Sequence, residues 1–96
     1  MNATKNIDSN IIYSNTAKIN AQNLDSNSIE GQNIELKISN NINNKGNILA
    51  ENLDVSSKDI SSNEIKANKI NIDSKNIISK KLTSNEAKIK AESFVN

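Results

Sequence analysis

The chain contains neither histidine nor cysteine. That removes the usual general base at neutral pH, the thiol nucleophile and most transition-metal ligands. Carboxylates, lysines and hydroxyls remain. Asp54 with Asp59, or Glu86 with Glu92, could form a carboxylate pair for general acid–base work, but such a pair needs a concave, dehydrating pocket to separate its two protonation states. Ser14, Ser57, Ser74 and Ser84 could act as nucleophiles only with a base and an oxyanion site, and the sequence offers neither. They suit a structural role better, as small polar side chains facing inward and hydrogen-bonding to stacked equivalents. Asn15 and Asn85 likewise read as rungs of an asparagine ladder. Gly31 and Gly46 are the two glycines; they stand too far apart for a phosphate-binding loop, and Gly46, after Asn43-Asn44-Lys45, reads as a turn. The regular glycine and aspartate spacing of calcium-binding repeats is missing, so Asp8 and Asp73 read as solvated outward positions. Lys80-Lys81 reads as surface. The expectation is a chain that is not an enzyme, with no catalytic, cofactor-binding or metal-binding residues.

The elements that would hold these residues must be built from little apolar material. Hydrophobic residues make up 34% of the 96 positions, and the aromatic residues are Tyr13 and Phe94, so a conventional compact core is disfavoured. The polar remainder is mostly Asn, Ser and Lys, a composition that by itself suits disorder. Against disorder, the apolar residues are mainly β-branched Ile, with some Leu and Val, which favour strands, and proline is absent. The net charge of +1 comes from interspersed lysines and acids, which leaves no electrostatic footprint for nucleic acid. Met1 to Asn6 lack the apolar run of a signal peptide, and no stretch is apolar enough for a membrane span.

A period organises the chain. Ile48, Ala50, Leu53, Val55, Ser57 and Ile60 recur 17 positions later as Ile65, Ala67, Ile70, Ile72, Ser74 and Ile77. A longer echo matches Ile12, Ser14, Asn15, Ala17, Lys18, Ile19, Ala21 and Leu24 with Leu82, Ser84, Asn85, Ala87, Lys88, Ile89, Ala91 and Phe94, 70 positions on. Within the template, inward-type residues alternate, as a strand with one buried face requires. Intervals of three interrupt the alternation, inserting a polar pair where the chain can bend and keep its inward face. One such corner is a small residue, two polar residues and an apolar one: Ala21 to Leu24, Gly31 to Ile34, Ala50 to Leu53, Ala67 to Ile70 and Ala91 to Phe94. A second runs Ser26 to Ile29, Ser57 to Ile60 and Ser74 to Ile77, where Asn and Asp would tolerate left-handed backbone angles.

This pattern predicts an all-β fold, a single-stranded parallel β-helix (β-solenoid) occupying 1–96 as one segment. It has a partial coil over 1–11 and coils starting near 12, 29, 48, 65 and 82. Five to six coils stacked at roughly 4.8 Å would make a slab on the order of 25 Å long. The expected core is Ile48, Ala50, Leu53, Val55, Ile60, Ile65, Ala67, Ile70, Ile72, Ile77, Ile89, Ala91 and Phe94. The segment from Leu82 to Phe94 also carries good helix formers, but Ala87, Ile89 and Ala91 alternate, and a helix would space them three and four apart.

The stretch from Asn43 to Ser57 resembles the repeats of filamentous haemagglutinin-like exoproteins. Their pattern runs Asn-x-Gly-x-Ile-x-Ala-x-x-Leu-x-Leu-x-Ala or Ser; here Asn44, Gly46, Ile48, Ala50, Leu53, Val55 and Ser57 hold the corresponding places. A degraded copy follows in Asn63, Ile65, Ala67, Ile70, Ile72 and Ser74. The resemblance implies a right-handed parallel β-helix, secretion by a two-partner route, and a role as an adhesin shaft or the stalk of a contact-dependent toxin.

Two functions therefore stand as expectations. One is a non-catalytic structural repeat segment of a secreted haemagglutinin-like adhesin or toxin stalk, extracellular or at the cell surface if the chain is part of a larger exoprotein. The other is a small bactofilin-like β-helical protein that polymerises, cytoplasmic if the chain is complete as written. The partners expected are neighbouring coils of a longer chain and an unidentified host-surface ligand for the stalk, or copies of the chain joined end to end through two uncapped ends for the polymer. Neither nucleic acid nor a membrane span is expected. An ice-binding solenoid would show a flat threonine array, and only Thr4, Thr16 and Thr83 are available.

Overall fold

A computed structural model describes residues 6–95. Residues 1–5, which hold Thr4 and the beginning of the expected partial coil, and Asn96 lie outside the described residues. The described chain is all-β and contains no helix. Strand β1 spans Asn6–Thr83, β2 spans Glu86–Lys90 and β3 spans Ser93–Val95. The helix formers around Glu86 to Glu92 thus sit in strands, where alternation prevails over propensity.

Strand β1 cannot be straight. Its 78 residues would reach about 260 Å if extended, whereas the longest axis of the molecule is 30 Å. The run therefore folds back on itself many times while keeping β geometry. Its pairing with the later strands is parallel: Lys69 to Asp73 lie beside Glu86 to Lys90, and Asn76 to Ile78 beside Ser93 to Val95, each partner 17 residues on. The three strands form one open sheet in the order β2-β1-β3.

Burial follows the alternation. Ile34, Leu36 and Ile38 are buried in sequence, as are Ile70, Ile72 and Ser74, while the residues between them are mostly exposed. One buried cluster runs from Ile7 to Ile77, with Ala50, Leu82 and Ile89 packed against it. Nine of the expected core residues are buried: Ile48, Leu53, Val55, Ile60, Ile65, Ala67, Ile70, Ile72 and Ile77. Ala50 and Ile89 are half-buried. Ala91 and Phe94 depart from the expectation and are exposed, on the last described pass.

The bends differ from expectation in two respects. No described residue has a positive φ, so the corners need no left-handed backbone and Gly46 is not a left-handed turn. The grouping of corners also changes. Phe94 pairs with Ile77, which stacks the Ala91 bend on the Ser74 bend and not on the Ala67 bend. Ser26 bonds to Asn44, and Asn44 to Ser62, so the bend from Ser26 to Ile29 shares a column with that from Ser62 to Ile65, the Asn44 bend lying between them. The alternation is therefore interrupted at three kinds of bend, not two.

Candidate functional site: stacked polar columns

Several of the polar side chains bond to one another between adjacent passes of the chain. The Ser26 hydroxyl donates to Asn44 Oδ1 at 2.8 Å, and Asn44 Nδ2 donates to Ser62 Oγ at 3.2 Å. All three side chains are buried. Ser62 in turn reaches the Gly46 carbonyl at 3.1 Å, so this interior polar column is closed by backbone. Among the described residues no buried side-chain nitrogen or oxygen lacks a partner, as a low-dielectric interior demands. Ser9 and Ser79 hold the corresponding places in the first and last copies of this bend; each donates to a carbonyl two residues on, Ile11 at 3.3 Å and Lys81 at 2.9 Å.

The serines considered as nucleophiles divide into two pairs. Ser57 and Ser74 share a hydrogen bond of 2.8 Å between their hydroxyls. Ser14 and Ser84 do not bond to stacked equivalents: each donates to the carbonyl two residues on, Thr16 at 2.9 Å and Glu86 at 2.6 Å, closing a local bend. None has a base beside it, since the chain lacks histidine and the acceptors are serine or backbone oxygens.

A second set of columns runs on the outside. Asn23 donates to Asn6 at 2.7 Å, Asn52 to Asn33 at 2.7 Å, Asn63 to Asn47 at 3.2 Å and Asn68 to Glu51 at 3.0 Å. Asn27 donates to Asn10, and Asn85 to Asn68. The partners are 16 to 19 residues apart. Amides recur here because each can donate to the pass before and accept from the pass after.

The carboxylates are not gathered into a dehydrated pair. Asp54, Glu86 and Glu92 are exposed, and the half-buried Asp59 accepts from Asn76 at 2.7 Å. Glu35 is bridged by Lys37 at 3.4 Å and Lys18 at 3.7 Å. A solvent-open groove of about 680 Å³ crosses the passes at Lys18, Glu35, Asp54, Lys69, Glu86 and Lys88, and its three positive and three negative side chains leave no field of one polarity. Among the described residues no three acidic, histidine or cysteine side chains are grouped to hold a metal ion, and no helix is long and apolar enough to cross a membrane.

Gly31 and Gly46 serve the stacking itself. A β-carbon on Gly31 would stand 1.9 Å from the Ser14 carbonyl oxygen, and one on Gly46 would stand 2.4 Å from that of Asn27. Both glycines let one pass of backbone lie against the preceding one. The interior Ser9, Ser26, Asn44, Ser62 and Ser79 column was not grouped by sequence reasoning; its signal is a polar residue three positions before Ile12, Ile29, Ile65 and Leu82. No family model, curated protein or solved structure matches the chain.

Proposed function

We propose that the chain is a stack of parallel β-solenoid coils acting as a non-catalytic structural segment, of the kind that forms the shaft of a filamentous haemagglutinin-like adhesin or toxin stalk. The carrying observation is the set of side-chain ladders whose partners lie 17 residues apart over most of the chain, as in Asn6 with Asn23 and Asn68 with Asn85. Such a ladder is what a regular coil stacked on its neighbour produces, with extra residues absorbed at bends where the offset becomes 18 or 19. The right-handed sense follows the resemblance and the usual hand of parallel crossovers. The exposure of Asp54, Glu86 and Glu92 supports a scaffold reading over an enzymatic one, and an extracellular or cell-surface location goes with it.

The test joins sequence context and imaging. Flanking coding sequence should continue the template, and the protein expressed with it should form rods lengthening by about 4.8 Å for each added repeat. A lone reading frame whose product never extends would sink the stalk reading.

A second reading, a cytoplasmic bactofilin-like polymer, draws on the exposed Ala91, Phe94 and Val95. Filaments of the chain by electron microscopy would favour it over the stalk.

A further inference from the structure

One pass of the chain is longer than its neighbours. Ile12, Ile29, Ile48, Ile65 and Leu82 open successive passes, and the steps between them are 17, 19, 17 and 17 residues. The two extra residues fall at two bends of the same pass. Between the buried Ile38 and Ile42 stand three residues, Ser39, Asn40 and Asn41, where Gln22-Asn23, Lys58-Asp59 and Lys75-Asn76 fill the corresponding bend with two. Between Asn44 and Ile48 stand Lys45, Gly46 and Asn47, where Asn27-Ser28, Asn63-Glu64 and Lys80-Lys81 again number two. The side-chain bonds record the same slips: Asn33 and Asn52 are 19 residues apart, Asn44 and Ser62 18, and Asn47 and Asn63 16.

An extra residue in one strand of a pair is left out of the ladder and disrupts it locally. The outer columns break accordingly. Asn23 bonds to Asn6, and Asn76 to Asp59, but between those levels the exposed Ser39, Asn40 and Asn41 join no side-chain column. The exposed Lys45 joins none either. The interior crosses the same level unbroken, since Ile42 is buried and Asn44 bonds to Ser26 on one side and Ser62 on the other. This pass is therefore anchored inside and loosened outside at two neighbouring bends. Local opening costs least where few buried contacts are given up and the backbone faces water, and exposed bends of small polar residues are where proteases nick a folded chain.

We propose that the long pass is a breakpoint built into the stack: the bends at 39–41 and 45–47 open before the rest of the chain, and a protease cuts there first. For a trypsin-like enzyme the bond is the one after Lys45. The inference rests on the stacked-coil reading above. That cut leaves Asn44 on one fragment and Ser62 on the other, bonded through the interior, so the nicked chain stays one particle.

Limited digestion of the full chain with trypsin, and separately with the broad-specificity protease subtilisin, tests this when the first fragments are identified by mass spectrometry. Both enzymes should cut first within 39–47, and the fragments should elute together on gel filtration. Hydrogen exchange of the uncut chain should be fastest in peptides covering 39–47, when compared with peptides from 48–82. A chain lacking Asn41 and Lys45, which restores a 17-residue pass, should be cut by subtilisin in this segment about tenfold more slowly, because cleavage follows the open population. The exchange measurement decides whether or not the shortened chain folds. First cuts at ordinary bends such as Lys58-Asp59 or Lys80-Lys81, or exchange at 39–47 no faster than elsewhere, would overturn the breakpoint and leave the stacked coils standing. Simultaneous cutting at all lysines with a random-coil circular dichroism spectrum would overturn both.

Discussion

The carbonyl oxygen of Ser14 lies 1.9 Å from the point where a β-carbon on Gly31 would stand. The two residues are 17 positions apart, so the contact reports how closely one pass of backbone lies on the one before. The glycine is required by this approach and not by its dihedral angles, since no described glycine has a positive φ. Gly31→Ala is expected to lower stability by about 2 kcal/mol, the cost of forcing backbone apart in a packed stack. The measurement is the urea midpoint, and an unchanged midpoint would mean that Ser14 is not the neighbour of Gly31.

Asn44 links two passes by accepting from Ser26 and donating to Ser62. Asn44→Ala leaves the buried Ser26 hydroxyl without its acceptor, whereas Ser62 keeps the Gly46 carbonyl. A loss of about 2 kcal/mol is expected, and Ser62→Ala should cost less than Asn44→Ala when both are compared by chemical denaturation.

Ile65 is fully buried and Phe94 is 39% exposed. Ile65→Ala should therefore cost about 3 kcal/mol through lost burial and a residual cavity, whereas Phe94→Ala in dilute solution should cost about 1 kcal/mol or less. Thermal melts of the two variants should rank them in that order. A larger effect at Phe94 would mean that the last pass is covered.

The bridges from Lys18 and Lys37 to Glu35 join side chains that are 75% and 64% exposed on the lysine side. Glu35→Gln is expected to change stability by less than about 1 kcal/mol, with the difference shrinking further in high salt. Melting curves at two ionic strengths provide the check.

Much of this fold was legible in the residues. Ile48, Leu53, Val55 and Ile60 announce an inward face by alternation, and their recurrence 17 positions later gives the stacking offset. The grouping of bends was not legible, because Ser26 to Ile29 and Ser57 to Ile60 have the same spelling, a serine followed three residues later by isoleucine. Only the bonds of Ser26 to Asn44 and of Ser57 to Ser74 separate the two columns. Ala91 and Phe94 are of the same small and apolar classes as the buried Ala21 and Leu24, 70 positions earlier, but burial in a stack depends on the next pass, which composition does not reveal. Gly46 looked like a turn residue because glycine after asparagines usually is one; the requirement came from the Asn27 carbonyl, 19 positions away in sequence.

The parallel offset of 17 residues underlies the proposed solenoid, and paired spin labels test it most directly. The native chain has no cysteine, so Lys69→Cys and Glu86→Cys can be labelled without background. These two residues are exposed Cα partners on adjacent strands, about 5 Å apart at the backbone. The doubly labelled protein should show a continuous-wave spectrum strongly broadened by spin–spin coupling, relative to the sum of the two singly labelled proteins. A spectrum equal to that sum would contradict the stack.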